Sequence, residues 1–221
     1  MTELTTTSSV EHHNILGVIL AGGNARRMGG GDKGFADLDG QTMLAHVIAR
    51  FRPQVSQLIL SANGDAARFR GFGLDVVADL DAIDRGPISG LFAAMTWIEN
   101  KALPFDAVAT VSTDVPFLPL DCVQRLEAAR AMSGDAARPA LAVSGERRHP
   151  TVGLWPMSLK SEIAAALARN DLRLNMLAHA HSAIEVSFPF GECGGETVDP
   201  FFNANTPDDL AMARDLITRQ L

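Results

Sequence analysis

The stretch LAGGNARRMGGGDKG, residues 20–34, combines six glycines with Arg26, Arg27 and Lys33, and within it Asp32 alone opposes these cations. Glycine lets a ligand approach the backbone amides closely, and cationic side chains beside such amides neutralise phosphate oxygens. The whole chain carries a net charge of −7, so no nucleic-acid partner and no membrane partner are expected. A cationic island in an acidic protein therefore predicts a small anionic ligand at this loop.

Two common phosphate-binding motifs do not fit this loop. A dinucleotide fingerprint GxGxxG begins directly after its strand, whereas the matching glycines, Gly29 to Gly34, lie well downstream of the apolar run ILGVIL. A P-loop has GK followed by Ser or Thr, and this sequence has Asp32-Lys33-Gly34. What remains is a strand end, backbone amides, and Arg27 and Lys33 able to fold over phosphates. A solvated turn with incidental charges is the alternative.

Two carboxylates also follow apolar runs. Asp114 follows AVATVST, and Asp79 follows the short run that begins at Asp75. Parallel strands of an open α/β sheet bring such residues to its carboxyl edge, where ligands bind. Magnesium takes one or two carboxylates and completes its shell with phosphates and water, so Asp114 is predicted to hold Mg²⁺. Asp79 could be a second carboxylate or an acceptor that reads a base, and a turn or cap role is the alternative for both.

The remaining polar features are less specific. The string GPISG, Gly86 to Gly90, allows close contact with a sugar or base, but it is equally typical of a helix start without a ligand. None of the six histidines shares a segment with Asp or Glu at metal-ligand spacing, so none is expected to be a catalyst. His149 stands beside Arg147 and Arg148, and this cluster could bind a second anion. A solvated charge patch is the favoured interpretation.

Alternating strands and helices would position these side chains. A strand at 15–20, the loop, a helix capped by Thr42 and a strand at 57–60 make a right-handed crossover unit of parallel strands. This alternation of strands and helices continues to residue 143 and changes at RRHPTVGLWP. The other predicted strands lie at 75–78, 107–111 and 141–143. Five further helices are predicted: one begins at Pro87, two span 120–132 and 158–169, a short one follows Asp171, and the last begins at Thr206-Pro207. This alternation predicts an open α/β sheet covered on both faces.

We expect one domain, residues 15–221, after a flexible tail of residues 1–14. The two cysteines, Cys122 and Cys193, form no CxxC pattern, so neither a disulfide framework nor a zinc site is indicated. The N-terminus lacks a cationic start followed by an apolar core, and no later run has the length of a membrane span. A cytoplasmic location is therefore expected.

Three motifs carry a resemblance to a known family: LAGGNARRMGGGDKG, STDVPFLPLD and FFNANTPDDL. Together with HPT, they resemble the molybdenum cofactor guanylyltransferase (MobA) family of the nucleotidyltransferase superfamily, over about Gly17 to Ala213. The resemblance implies a Rossmann-like three-layer α/β/α fold with a mostly parallel sheet. It also implies transfer of GMP from MgGTP to the terminal phosphate of the molybdenum-molybdopterin cofactor, with release of pyrophosphate. The nucleotide-binding half would span about 15–145 and the acceptor-binding half about 146–221.

The resemblance also assigns residues to the two substrates. Ser61 stands where some relatives have a nucleotide-binding asparagine, so Asn63 is the expected replacement. Asp79 would read the base, and Asp114 would hold magnesium. The other nucleotide contacts would be Leu20, Ala21 and Gly22 at the guanine and ribose, Gly23, Arg27 and Lys33 along the triphosphate, and Gly86 against the nucleotide. The pterin side would be lined by His149, Arg173, Asn203 and Asn205.

This reaction needs few catalytic groups, because a phosphate monoester is already an anionic nucleophile near neutral pH and requires no general base. Arg27, Lys33 and Asp114 with Mg²⁺ are the predicted catalytic residues, since they would neutralise charge on the α-phosphate and the leaving pyrophosphate. The alternatives are another nucleotide or acceptor, such as CTP with molybdopterin or a sugar phosphate, and a non-catalytic pterin carrier. We expect a monomer that meets cofactor-donating and cofactor-accepting proteins.

Overall fold

A seven-stranded sheet organises the protein. The computed structural model describes residues 14–21, 33–80, 86–193 and 195–220. Its strands are β1 Ile15–Leu20, β2 Asp37–Leu38, β3 Gln41–Thr42, β4 Gln57–Ser61, β5 Asp75–Val77, β6 Ala107–Ser112, β7 Ala140–Ser144, β8 Arg147–Pro156, β9 Ile184–Ser187, β10 Gly191–Cys193 and β11 Glu196–Val198. Its helices are α1 Met43–Phe51, α2 Pro87–Asn100, α3 Cys122–Ser133, α4 Lys160–Ala168, α5 Leu174–Ala180 and α6 Pro207–Gln220.

The strand order of the main sheet is β5-β4-β1-β6-β8-β7-β9. The first four strands run parallel, β8 is antiparallel to both β6 and β7, and β9 is parallel to β7. Leu20 pairs with Ser61 on one side and with Ser112 on the other. The carboxyl ends of β4, β1 and β6 therefore meet at one edge. The predicted open, mostly parallel α/β sheet is confirmed.

Local sequence signals explain where two helices begin. Thr42 caps α1, and its Oγ1 accepts a hydrogen bond from the Ala45 N–H at 3.2 Å. Pro53 lies in the short 3₁₀ turn that follows α1. At the start of α6, the Asp209 N–H donates to Thr206 Oγ1 at 3.1 Å, and the Thr206 N–H donates to the Asp209 carboxylate at 2.8 Å. Both predicted starts are confirmed, including the reciprocal capping box.

The segment after residue 146 contains elements that the sequence did not predict. RRHPTVGLWP forms β8, a ten-residue antiparallel strand. Leu141 pairs with Gly153 but the next residue, Ala142, pairs with His149, so residues 150–152 have no partner on β7 in this register. Pro150, which has no N–H to donate, lies in this irregular part. The short strands β9, β10 and β11 were also missed, because so few residues carry little periodic signal.

Helices cover both faces of the sheet and so complete three layers. On one face, α1 and α3 contribute Val47 and Leu126 to an apolar cluster with Ile19. On the other face, α2 contributes Leu91 to a cluster with Val18 that α4 and α5 extend. The β1 residues between the two layers are almost wholly buried, as expected for a parallel strand covered on both sides. Within the described ranges, no helix has the length and apolar character needed to cross a membrane.

Helix α6 covers a third apolar cluster beside the β2–β3 hairpin. Ala213 and Leu216 pack there with Leu38 and Met43, and all four side chains are fully buried. This packing anchors α6, and the segment just before this helix carries Asn203 and Asn205. The chain's last long helix thereby brings two predicted site residues toward the sheet.

Candidate active site

The carboxyl edge of the sheet holds the first of two groups of predicted binding residues. They line one pocket, which is formed by the ends of β1 and β4, the segment after β5, and the start of α2. Its lining residues are Leu20, Ser61, Ala62, Asn63, Asp79, Gly86, Pro87 and Gly90. The structure therefore brings together four residues that were predicted to meet a nucleotide: Leu20, Asn63, Asp79 and Gly86. Ala21 is next to them, where its N–H donates to the Ser61 carbonyl at 2.8 Å.

Two reciprocal hydrogen bonds join Asn63 to Asp79 in this pocket. Asn63 Nδ2 donates to Asp79 Oδ2 at 2.8 Å, and the Asp79 N–H donates to Asn63 Oδ1 at 2.9 Å. The amide thus engages both the side chain and the backbone of Asp79, which restricts the carboxylate to one orientation. Asn63 has a supporting role toward Asp79 that sequence reasoning did not foresee.

The N-terminus of α2 faces the same pocket. Gly86 has φ +75°, a left-handed conformation that favours glycine, and Pro87 opens the helix. A Cβ on Gly90 would lie 2.6 Å from Ser61 Oγ and 2.8 Å from Leu20 Cδ2. The absence of a side chain at Gly90 therefore lets the helix start approach β1 and β4. The N–H groups of a helix start favour an anion or an acceptor atom of a ligand.

The second group of residues surrounds the ammonium of Lys33. Lys33 Nζ lies 3.6 Å from Asp114 Oδ2 and donates a hydrogen bond to Asn205 Oδ1. Ser112 Oγ donates to the other carboxylate oxygen, Asp114 Oδ1, at 2.6 Å. The Ala204 N–H donates to the Asp114 carbonyl at 3.3 Å. The end of the glycine-rich loop, the turn after β6 and the segment before α6 therefore converge on one point.

The oxygens around Lys33 make a place that fits a cation. The Asp114 carboxylate and the Asn205 amide carbonyl are hard oxygen donors of the kind that Mg²⁺ and Mn²⁺ accept, and a lysine ammonium lies against both. In the described part of the chain, no group of three or more His, Cys, Asp or Glu side chains could hold a metal. A metal between Asp114 and Asn205 would therefore need substrate phosphates and water to complete its shell.

Asp209 adds negative charge to this second group. Burial by itself would raise the pKa of Asp209, but the N–H groups of Asn205 and Thr206 and the positive charge of Lys33 outweigh it and lower that pKa. The Asn205 N–H donates to Asp209 Oδ2 at 2.9 Å. The ionised carboxylate of Asp209 therefore holds the backbone that presents Asn205 to Lys33.

The residues predicted on the pterin side lie in different environments. Asn205 reaches Lys33, as described above. Asn203 Oδ1 is buried, and it has no hydrogen-bond partner in the described part of the chain. Arg173 is exposed before α5 and pairs with Asp171, its Nε lying 3.0 Å from Asp171 Oδ1, rather than with the residues around Lys33. The contact of Arg173 with the pterin therefore stays a prediction.

His149 is buried rather than solvated. The residue is 5% exposed, its Nε2 is 2.7 Å from Ser144 Oγ in a hydrogen bond, and its ring centroid is 4.7 Å from that of Phe201. Burial lowers the pKa of His149, Asp199 opposes this effect, and Arg147 adds to it. The favoured interpretation as a solvated charge patch is therefore wrong for His149, because β8 turns this side chain toward Phe201, whereas the two preceding arginines are exposed.

Part of the predicted site lies outside the described residues, namely Gly22, Gly23 and Arg27. Conversely, Ser112 and Thr151 were not predicted as site residues. Thr151 Oγ1 lies 3.5 Å from Ser112 Oγ, so a chain of hydroxyls leads to Asp114. Both residues stand in quoted motifs, STDVPFLPLD and HPT. Their contact could not be read from those motifs because it depends on the antiparallel pairing of β6 with β8.

The amino-acid sequence matches known proteins along most of its length. A family model described as the MobA-like NTP transferase domain matches residues 17–184. The chain is 45% identical over 201 residues to a molybdenum cofactor guanylyltransferase from Nitrobacter hamburgensis, covering 90% of this chain and 93% of that one. It is 44% identical over 206 residues to a protein of the same name from Mesorhizobium japonicum, covering 92% and 96%.

Solved structures share the fold at lower sequence identity. A molybdopterin-guanine dinucleotide biosynthesis protein A from Archaeoglobus fulgidus superposes with a TM-score of 0.65 at 20% identity, covering 92% of this chain and 98% of that one. A Mycobacterium tuberculosis protein crystallised as a complex with manganese gives a TM-score of 0.61 at 18% identity, covering 91% and 98%. These similarities concern the three-layer architecture.

Proposed function

The chain belongs to the MobA-like NTP transferase family, and we propose that it transfers GMP from MgGTP to the terminal phosphate of molybdenum-molybdopterin, releasing pyrophosphate. Membership of this family makes it a nucleotidyltransferase. The observation that carries the proposal is the convergence of three distant segments on Lys33, whose ammonium lies 3.6 Å from Asp114 and contacts Asn205. Phosphoryl transfer is catalysed mainly by positioning and by neutralising phosphate charge, and a carboxylate able to hold Mg²⁺ beside a lysine would supply two sources of positive charge.

On the phosphate side, Asp114 and Asn205 would hold Mg²⁺, and Lys33, Gly23 and Arg27 would contact the triphosphate. Bound Mg²⁺ would supply a Lewis acid that draws charge from the phosphate oxygens. Lys33 supports this assignment because it already lies beside the carboxylate, so a small movement of its long side chain would bring the ammonium to a phosphate. Its positive charge would offset the charge that develops on the departing pyrophosphate.

On the base side, Leu20, Ala21, Gly22 and Gly86 would enclose the guanosine, and Asp79 would read the base. A carboxylate accepts two parallel hydrogen bonds, and the Watson–Crick edge of guanine offers two adjacent donors, N1–H and the 2-amino group. Cytosine and adenine do not offer that pair. The two hydrogen bonds from Asn63 support the assignment, since they keep the Asp79 carboxylate in one orientation.

On the acceptor side, His149, Arg173, Asn203 and Asn205 are proposed to meet the pterin. Asn203 has the most direct support, because its buried Oδ1 accepts no hydrogen bond from the described residues and could accept one from a ligand. His149 is only 5% exposed, so little of its side chain is available to contact the pterin directly. The attacking phosphate is an anion near neutral pH, so the chain has to align it rather than deprotonate it.

The decisive experiment measures pyrophosphate release from GTP with Mg²⁺, with and without molybdenum-molybdopterin. We expect release that depends on the acceptor. Asp114→Ala and Lys33→Ala are each expected to lower the rate about 100-fold or more, the usual cost of removing one group that stabilises transition-state charge. Both variants should keep the wild-type circular dichroism spectrum, because both side chains are only partly buried and belong to none of the three apolar clusters.

Matched controls come from the same residue types elsewhere. Asp121→Ala and Lys101→Ala remove an exposed carboxylate before α3 and an exposed ammonium after α2, so both should transfer at the wild-type rate. Normal turnover by Asp114→Ala would contradict the metal assignment. Nucleotide binding without pyrophosphate release would favour a pterin carrier. Faster pyrophosphate release from CTP than from GTP would show that the base is cytosine rather than guanine.

The wider expectations stay predictions. They are a monomer in the cytoplasm, a single domain over residues 15–221 with a nucleotide-binding half to about residue 145, and encounters with proteins that donate and accept the cofactor.

A further inference from the structure

The two oxygens of Asp114 have different partners. Oδ1 accepts the hydrogen bond from Ser112 Oγ at 2.6 Å, and Oδ2 faces Lys33 Nζ at 3.6 Å. A distance of 2.6 Å is typical of a hydroxyl that donates to an ionised carboxylate, which is among the stronger hydrogen bonds in proteins. The Asp114 carboxylate is therefore anchored through Oδ1, and its Oδ2 is directed toward the Lys33 ammonium.

A second hydroxyl supports the first. Ser112 has one hydroxyl proton, which it donates to Asp114, so its oxygen can accept the hydroxyl proton of Thr151 at 3.5 Å. Thr151 lies in the irregular part of β8, among the three residues that have no partner on β7. Irregularities of this kind redirect side chains and are common next to active sites. Thr151 therefore reaches Ser112, the last residue of β6, from the part of β8 that has no partner on β7.

We infer that Ser112 is a positioning residue for the cation site: its hydroxyl fixes the Asp114 carboxylate so that Oδ2 is presented to the cation, and Thr151 holds that hydroxyl in place. This inference rests on the proposed function, since it assumes that Asp114 faces the metal of a metal–nucleotide complex. Ser112 acts through Asp114 and needs no contact with either substrate.

Removal of the hydroxyl should weaken the response of the site to metal. Hydrogen bonds to a metal-binding carboxylate typically contribute 10- to 100-fold to metal affinity or activity. Ser112→Ala is therefore expected to reduce the gain in GTP affinity that Mg²⁺ provides by about 10-fold or more. Ser112→Thr retains a hydroxyl and should restore most of that gain. Thr151→Val should have a smaller effect, because the hydrogen bond that it removes is long.

The test is equilibrium dialysis of labelled GTP against the full chain, without acceptor, in EDTA and across a Mg²⁺ titration. Wild-type protein should bind GTP more tightly as Mg²⁺ rises, and Ser112→Ala should match it in EDTA but fall behind in Mg²⁺. Ser144→Ala is the matched control, because it removes a buried hydroxyl at the end of β7, on the other side of β8, that bonds His149 instead. It should respond to Mg²⁺ as wild type does.

Three outcomes would overturn the inference: wild-type behaviour of Ser112→Ala in Mg²⁺, equal weakening of its GTP binding in EDTA and in Mg²⁺, or no Mg²⁺ effect in the wild-type protein. The proposed function can fail separately. If the wild-type protein releases no pyrophosphate but Ser112→Ala still loses its Mg²⁺ response, the reaction is wrong and the positioning role stands. If transfer occurs and Ser112→Ala responds normally, the positioning role alone is wrong.

Discussion

At the scale of single residues, His149 connects the packing of β8 to pH. Its ring packs against Phe201 and shares a hydrogen bond with Ser144. Because burial is the largest effect on this side chain and lowers its pKa, the folded protein holds a neutral imidazole at a pH where an exposed histidine takes up a proton. The unfolded chain binds that proton near pH 6.5, the ordinary value. The contribution of His149 to stability is therefore present above about pH 6.5 and lost as the pH falls below it.

We accordingly predict that the free energy of unfolding decreases from pH 7.5 to pH 5.5, with a contribution from His149 of at most about 1.4 kcal/mol per pH unit. The double variant Ser144→Ala/His149→Phe removes the titrating ring without leaving a hydroxyl unpaired, so its stability should depend less on pH. Urea denaturation at both pH values measures this. His179→Gln, at an exposed position, is the control and should keep the wild-type dependence. An unchanged dependence in the double variant would contradict the assignment.

At the scale of elements, the approach of α2 to the sheet depends on Gly90. A Cβ at this position would meet Ser61 Oγ at 2.6 Å and Leu20 Cδ2 at 2.8 Å, so either these two side chains or the helix start would have to shift. The same helix start carries Gly86 and Pro87 into the proposed base pocket. The position of α2 and the shape of the pocket are therefore coupled, because Gly90 packs against Leu20 and Ser61 where a Cβ would overlap them.

Gly90→Ala is predicted to destabilise the protein by about 1–3 kcal/mol through overpacking, although alanine is the better helix former by about 1 kcal/mol. It should also weaken GTP binding, because Leu20, Ser61 and Pro87 all line the proposed base pocket and the overlap would displace side chains or helix there. The measurements are urea denaturation and GTP dialysis. Gly71→Ala is the matched control, since a Cβ there would meet nothing within 4 Å, and it should leave both quantities nearly unchanged. A Gly90→Ala protein as stable as wild type would contradict the overpacking.

At the scale of the whole molecule, β8 joins the two halves of the chain. It pairs with β6 on one side and with β7 on the other, and Trp155 Nε1 donates to Thr110 Oγ1 on β6 at 3.1 Å. A fragment that ends near residue 145 would contain β6 and β7 but lack the strand between them. We therefore expect the nucleotide-binding half proposed above to be a functional division of one folding unit rather than a separate domain.

We predict that the full chain unfolds in a single cooperative transition and that residues 1–145 do not fold alone. Trp97→Phe leaves Trp155 on β8 as the one tryptophan, and Trp155→Phe leaves Trp97 on α2. In each variant, the urea midpoint from tryptophan fluorescence should coincide with the midpoint from circular dichroism. Separate midpoints in either variant would show that the halves unfold independently and would contradict the prediction.

Features whose signals are local could be predicted from the amino-acid sequence. The strand at Ile15–Leu20, the cap at Thr42 and the capping box of Thr206 with Asp209 follow from neighbouring residues, and the structure has all of them. Repeated alternation of strands and helices predicted the sheet and the edge at which Asp114 lies. The motifs identified the family, since they are themselves short stretches of sequence. The strand, the caps and the motifs each depend on residues close together in the sequence, so the sequence displays them directly.

Contacts between distant residues could not be predicted in this way, because they depend on how the whole chain folds. Asn205 reaches Lys33 across 172 residues, Thr151 reaches Ser112 across 39, and His149 is buried rather than solvated. The last two outcomes depend on β8 lying antiparallel between β6 and β7, and the first depends on the packing of α6 beside the β2–β3 hairpin. Strand pairing is a choice among many alternatives of similar local energy, and it is settled by the packing of the whole sheet. No pattern within one segment contains that information.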